Sequence, residues 1–254
     1  MKIYLAGADG GSIYIEALKR AGVKNRLESF YSLGGRPSMH LSMFDYLLDS
    51  GGFVARTKGV PIKIEEYARY INQNKIQKAF NLDTKSVKET LANQKYLDAN
   101  CPDCYIIPVY HISDYLEGNV QLFKDYIASY SYIGIGGVAK VGYANQTIRD
   151  RAMEYIFSLS GSTTALHGLG QTMIEELRKY PWYSVDSTSW LQPARYGGSK
   201  FHSKNMGRVR SKVVPYDKNA EREAMYWVKK ERELTYLWKQ RGIDWEDFEL
   251  KRFD

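Results

Sequence analysis

Cysteine is scarce in this chain, with only Cys101 and Cys104 among 254 residues. That excludes a disulfide-built extracellular scaffold and points to a reducing, intracellular setting. Long apolar runs are missing too. No stretch reaches the roughly 18 residues a membrane-spanning helix needs, so no membrane partner is expected. The opening residues, Met1 to Gly7, read as a short strand and not as the apolar region of a secretory leader. The expected location is therefore the cytoplasm. No internal repeat, low-complexity tract or linker marks off a second domain. The most informative absence is local: from Ser187 to Tyr216 there is no Asp or Glu.

What is present fits a globular chain. Hydrophobic residues make up 44% and charged residues 26%, enough for a sizeable core without staples. The net charge of +7 is concentrated. Arg195, Lys200, Lys204, Arg208, Arg210 and Lys212 all fall in the acid-free window, interleaved with Tyr196, Phe201 and His202. That combination suits a phosphate-binding surface; the plain alternative is a solvated loop.

Short apolar runs alternate with amphipathic stretches along the chain. The runs are Lys2–Gly7, Leu27–Leu33, Tyr46–Asp49, Lys78–Asp83, Tyr105–His111, Tyr132–Gly136, Thr164–Gly168 and Trp182–Asp186. Most end in Gly, Asp or His, and their residue types favour strands. Helical patterns fill Ser12–Ala21, Ile64–Asn74, Thr84–Asn100 with Thr84 as its cap, Ser113–Tyr130, Asn145–Ser158 and Thr172–Lys179. Gly34–Asp45 is irregular, with room for one short helix. Strands alternating with helices predict βαβ units and a parallel sheet. Eight such units predict an α/β fold, a single (β/α)8 TIM-type barrel over residues 1–190. Residues 191–254 supply the basic loop and a long polar helix, Lys218–Arg241, packed on the barrel as part of the same domain. A doubly wound open sheet is the alternative.

In such a barrel, chemistry sits at the strand C-termini. Those positions carry Asp49, Asp83, His111, Gly136-Gly137, His167-Gly168 and Asp186. Three carboxylates and two imidazoles exceed what packing needs; singly, each could be a capped turn or a satisfied core group. Paired carboxylates can cleave a glycosidic bond, one as nucleophile and one as acid/base. The same logic extends to an N-glycosidic bond. Gly136 and Gly137 leave backbone against which a flat ring can lie, and Phe53 offers a stacking face.

The ordered set is specific. Asp49-Ser50-Gly51-Gly52-Phe53, Gly136-Gly137-Val138-Ala139, Leu166-His167-Gly168-Leu169-Gly170 and Tyr183-Ser184-Val185-Asp186 resemble the tRNA-guanine transglycosylase superfamily. Those enzymes are (β/α)8 barrels that exchange guanine in a polynucleotide for a 7-deazaguanine. The short chain and Asp186-Ser187-Thr188-Ser189-Trp190 are most similar to a compact branch. That branch is the deoxypurine-in-DNA protein A family, often phage-encoded, in which case the location is the host cytoplasm. The likeness spans roughly the first 200 residues. It implies that Asp186 attacks C1′ and that Asp49 is the acid/base. Asp83 would hold the Watson–Crick-type edge of the base. Ser50, Gly51, Phe53, His111, Gly136, Gly137 and His167 would line the base site. Arg195, Lys200, Lys204, Arg208 and Arg210 would hold phosphates. The implied partners are a nucleic acid (DNA favoured, tRNA the alternative) and a 7-deazaguanine such as preQ0. The superfamily often forms dimers, so a homodimer stays open, with no dimer face marked in the sequence.

Departures from the pattern matter. The tRNA enzymes of bacteria and eukaryotes carry a zinc site of three Cys and one His beyond the barrel strands. Here Cys101 and Cys104 precede the fifth expected strand and supply half a site, so neither metal nor cofactor is expected. Tyr110-His111 stand where those enzymes read the base with glutamine, and His167 stands where they have methionine. Two further readings remain: an N-glycoside hydrolase on the same barrel, and a nucleic-acid-binding protein without catalysis.

Overall fold

Near-continuous runs of Ile, Leu, Val and Tyr are the pattern of strands buried on both faces. In the computed structural model these runs form the layer everything else packs on. The structure describes residues 1–10, 12–38, 41–138, 146–161, 163–192 and 216–253. The first half contains β1 (Lys2–Ala6), α1 (Ser12–Arg20), β2 (Asn25–Ser29), α2 (Phe30–Leu33), β3 (Asp45–Asp49), α3 (Gly52–Thr57), α4 (Ile64–Gln73), β4 (Lys78–Phe80) and α5 (Val87–Asn100). Then come β5 (Tyr105–Ile107), β6 (Val109–His111), α6 (Ile112–Leu116), α7 (Val120–Ser129) and β7 (Tyr132–Gly136). The chain continues with α8 (Gln146–Ser160), β8 (Ala165–Gly168), α9 (Ile174–Lys179), β9 (Ser184–Ser187) and α10 (Tyr216–Gln240). No helix among the described residues is long and apolar enough to cross a membrane.

The described residues give nine strands, ordered β5-β4-β3-β2-β1-β9-β8-β7-β6. All their pairings are parallel. The expected single strand Tyr105–His111 is divided at Pro108, which has no N–H to donate to a ladder. The carbonyl of Ile107 accepts from Asn81 N and that of Pro108 from Gly134 N, both at 2.9 Å, one bond to each side. The two outermost strands are thus joined through one residue, and the sheet is nearly closed.

Alternation sorts each strand into an inner and an outer face. Tyr4, Leu27, Leu47, Phe80, Val109 and Tyr132 belong to one buried cluster, enclosed by the sheet. Ile3, Leu5, Ile133 and Val185 belong to a second, between sheet and helices. Trp227, Leu234 and Trp238 of α10 join that outer cluster.

Several boundaries differ from expectation for local reasons. The run ending at Leu33 leaves the sheet at Ser29 and turns into α2, which stops at Gly34 with φ of 58°. The first turn of α5 is capped by Ser86, whose hydroxyl accepts from Glu89 N at 3.3 Å, and not by Thr84. The expected helix Ser113–Tyr130 is two, broken at Gly118 with φ of 82°. After α10 the chain crosses the strand N-termini. Tyr183 meets Trp245 and Phe248 with ring centroids 5.6 and 4.9 Å apart. Ser131 N donates to Lys251 O at 2.9 Å.

Candidate active site

Inner-face parity decides which side chains meet at the C-terminal end of the sheet. On β3 it selects Asp45, Leu47 and Asp49, so the strand's last residue points inward. Gly51 follows with φ of 77°, and a Cβ there would lie 2.4 Å from Ser29 Oγ and 2.5 Å from Tyr31 Cβ. Conformation and space both require glycine. The turn returns Gly51 N to Asp49 Oδ2 at 3.0 Å. Ser50 is buried and its Oγ accepts from Gly52 N at 3.2 Å.

Gly52 then opens α3, a helix the sequence reading missed. Phe53 stands on its first turn, 65% exposed. One turn further, Arg56 donates from Nη1 to the carbonyl of Asp83 and lies 3.5 Å by Nη2 from Asp83 Oδ2. A cation at the end of a short amphipathic segment was the available signal for Arg56.

Asp83, just beyond β4, is 9% exposed, and its Oδ2 is 2.8 Å from His111 Nε2. His111 ends β6 opposite Gly136. Its ring covers that glycine so closely that a Cβ on Gly136 would fall 2.4 Å from Nδ1. Gly136 therefore makes room for His111 in this structure, whereas the sequence reading gave that space to a flat ligand. Gly137 turns the chain with φ of 81°.

Asp186, on the inner face of β9, is 9% exposed. Its Oδ1 accepts from Gly170 N at 2.9 Å and lies 3.1 Å from His167 Nε2. His167 is fully buried and faces Asp186, Ser184 and Tyr132. Ser184 and Tyr132 had no marker in the sequence.

The electrostatics separate the carboxylates. Burial pushes Asp49 up to about 7, and the negative charges of Asp83 and Asp186 add to it. Part of its surface reaches solvent, yet one backbone N–H is its main compensation. Burial also disfavours an ionised Asp83. The His111 hydrogen bond and the charges of His111 and Arg56 outweigh it and hold Asp83 below the usual carboxylate range. For His111, burial opposes protonation, but Asp83 and Asp114 win and raise it. One acid is thus poised near neutrality beside another kept ionised, the division acid/base chemistry requires.

No group of three or more His, Cys, Asp or Glu among the described residues is arranged to hold a metal ion. Cys101 and Cys104 are buried and unbridged. Burial pushes the Cys101 thiol up to about 11 and Cys104 higher still, against thiolate ligation. Arg195, Lys200, Lys204, Arg208 and Arg210 lie outside the described residues. The structure thus brings together Asp49, Asp83, His111, Gly136, His167 and Asp186, with Ser50 and Gly51 shaping the turn beneath. Phe53 stands at the rim.

Neither the models of known protein families nor the curated protein sequences contain a match to this chain.

Proposed function

We propose that the protein is a base-exchange transglycosylase. It replaces guanine in a polynucleotide, DNA in preference to tRNA, with a 7-deazaguanine such as preQ0. The reading treats the nearly closed sheet as a (β/α)8 barrel whose fifth strand, Tyr105–His111, is broken at Pro108. Its catalytic face is then the C-terminal one. The observation that carries it is the gathering of Asp49, Asp83 and Asp186 at that face, with Asp49 raised by burial and further by the charges of the other two.

Asp186 attacks C1′ of the extruded nucleotide. The O–C1′ bond forms as the C1′–N bond breaks, the electron pair passes to the departing guanine, and Asp49 supplies its proton. The incoming 7-deazaguanine gives a proton back to Asp49, its nitrogen attacks C1′, and Asp186 leaves as a carboxylate. Asp83, kept ionised by His111 and Arg56, accepts from the N–H groups of the base. Only its Oδ2 is engaged by those partners, which leaves Oδ1 for the ligand. Phe53 offers an exposed ring for stacking, and the basic segment Arg195–Lys212 holds phosphates. The motif order shared with tRNA-guanine transglycosylases supports the same assignment, and its compact form favours DNA. A cytoplasmic setting accords with free thiols at Cys101 and Cys104.

The test is incubation of guanine-labelled DNA or tRNA with and without a 7-deazaguanine, followed by mass spectrometry of the nucleosides. The expected product is a 7-deazaguanine nucleoside in DNA. Product in tRNA alone moves the substrate to tRNA. Guanine release that never needs the second base makes the protein a hydrolase. Asp186→Asn should abolish exchange while polynucleotide affinity stays the same; exchange at the normal rate would remove Asp186 from the nucleophile's role.

A further inference from the structure

A carboxylate nucleophile has two oxygens, and the groups behind Asp186 select between them. Oδ1 is engaged twice, by Gly170 N at 2.9 Å and by His167 Nε2 at 3.1 Å. Oδ2 has no hydrogen-bond partner among the described residues. Behind the imidazole, Nδ1 lies 2.8 Å from Ser184 Oγ and 3.2 Å from Tyr132 OH, and those hydroxyls are 2.6 Å apart. His167 and Ser184 are fully buried and Tyr132 is 1% exposed. The rings of Phe80 and Tyr4 flank the imidazole at 4.8 and 5.9 Å. The register produces this: His167 pairs with Ser184 across β8 and β9, and Asp186 is the next inward residue on β9.

We propose that His167 is a positioning residue, an Nε2–H imidazole locked by Ser184 and Tyr132, which fixes Asp186 Oδ1 and presents Oδ2 as the attacking oxygen. The proposal rests on the base-exchange reading and deepens it. The hydrogen count supports the tautomer. With the ring proton on Nε2, it donates to Asp186, Nδ1 accepts from Ser184, and Ser184 accepts from Tyr132. Every hydrogen in the chain then points toward the carboxylate. With the proton on Nδ1, a nitrogen lone pair would face an anionic oxygen at 3.1 Å. Aromatic walls exclude the water that could substitute for the missing donor.

The two donors act in both half-reactions. In the first they stop the carboxylate from rotating, so that Oδ2 stays aligned with C1′. Once the Oδ2–C1′ bond has formed, Oδ1 is the carbonyl oxygen of an ester. When the incoming base attacks C1′, the Oδ2–C1′ pair returns to Asp186 and charge reappears on Oδ1, where both donors already wait.

Two measurements test this on the full chain. Nitrogen NMR of 15N-histidine protein reads the tautomer without any substrate, with H167Q identifying the signal among the four histidines. A protonated Nε2 with an unprotonated Nδ1 is expected; a proton on Nδ1 overturns the proposal. Single-turnover formation of the protein–polynucleotide adduct reads the consequence. H167L should slow it about 100-fold without changing the half-saturating polynucleotide concentration. H167Q, whose amide still donates to Asp186, should recover to within about tenfold of the parent. Parent-like adduct formation by H167L, or equal loss in both variants with weakened binding, overturns positioning. A parent protein that makes no adduct sinks base exchange itself, while the NMR measurement still decides the lock on Asp186.

Discussion

Asp49 carries the clearest consequence at the scale of single residues. Its folded-state value of about 7 lies above the ordinary 3.8. An ionised unfolded state therefore destabilises the fold increasingly as pH rises from about 4, with the full cost reached above about 7. Asp49→Asn should add stability on the order of 2–4 kcal/mol at pH 8 and almost none at pH 4, read from urea midpoints. A gain that does not vary with pH would place the titration elsewhere. In the proposed base exchange, departure of the base needs the protonated form, so adduct formation should fall as pH rises through about 7. The Asp83–His111 pair has the opposite signature. Asp83 is depressed, so its contribution is lost as pH falls below the ordinary 3.8, toward its folded value. His111 is raised, so its contribution is complete below the ordinary 6.5 and is lost as pH rises through its folded value. His111→Asn should accordingly cost about 1.5–3 kcal/mol between those limits and less outside them.

At the scale of elements, legibility followed the strength of local signals. Asp49, Asp83, His111 and Asp186 were legible as strand-end residues because an apolar run ending in an ionisable residue has few structural uses. His167, expected to line the base site, instead lies fully buried against Asp186, Ser184 and Tyr132. Tyr132 and Ser184 were not, since an inward tyrosine or serine looks like any strand residue until the register sets it beside His167. Pro108 was present in the run Tyr105–His111, but whether a proline interrupts a ladder depends on which neighbours that ladder has. Helix α3 escaped because paired glycines signal a turn, and here the first makes the turn while the second starts a helix. Gly51→Ala tests that division. It faces both positive φ and contacts at 2.4 and 2.5 Å, so a loss of about 2–4 kcal/mol is expected by urea unfolding. Tolerance of Ala would show that the turn can relax, and would loosen Asp49 from its place.

For the whole molecule, the site and the seal lie at opposite ends of the same sheet. Helix α10 ends at Gln240, and Gly242, with φ of 80°, turns the chain away from it. The residues beyond it pass under the strand N-termini, where Trp245, Phe248 and Leu250 pack on the interior cluster. Main-chain bonds tie this segment down: Lys251 N to Ser131 Oγ at 2.6 Å and Phe253 N to Ser129 O at 2.9 Å. Arg252 adds an ion pair to Asp98 at 3.0 Å. Just inside, Lys2 and Lys78 both pair with Asp45, and Lys2 lies 5.3 Å from the centre of the Tyr183 ring that the segment covers. Removing residues 242–254 would uncover that ring and let water reach the ionic cluster. Three partly buried apolar side chains and their anchoring bonds amount to about 3–5 kcal/mol, a loss readable as a lower urea midpoint. Because Asp49 and Asp186 sit at the other end, the adduct of the proposed base exchange should form in the truncated protein at the parent rate wherever it remains folded. Undiminished stability would show that the nearly closed sheet holds without its tail. Loss of chemistry at full stability would tie the two ends together through the aromatic column of Tyr183, Tyr132 and His167, whose rings are in contact along its length.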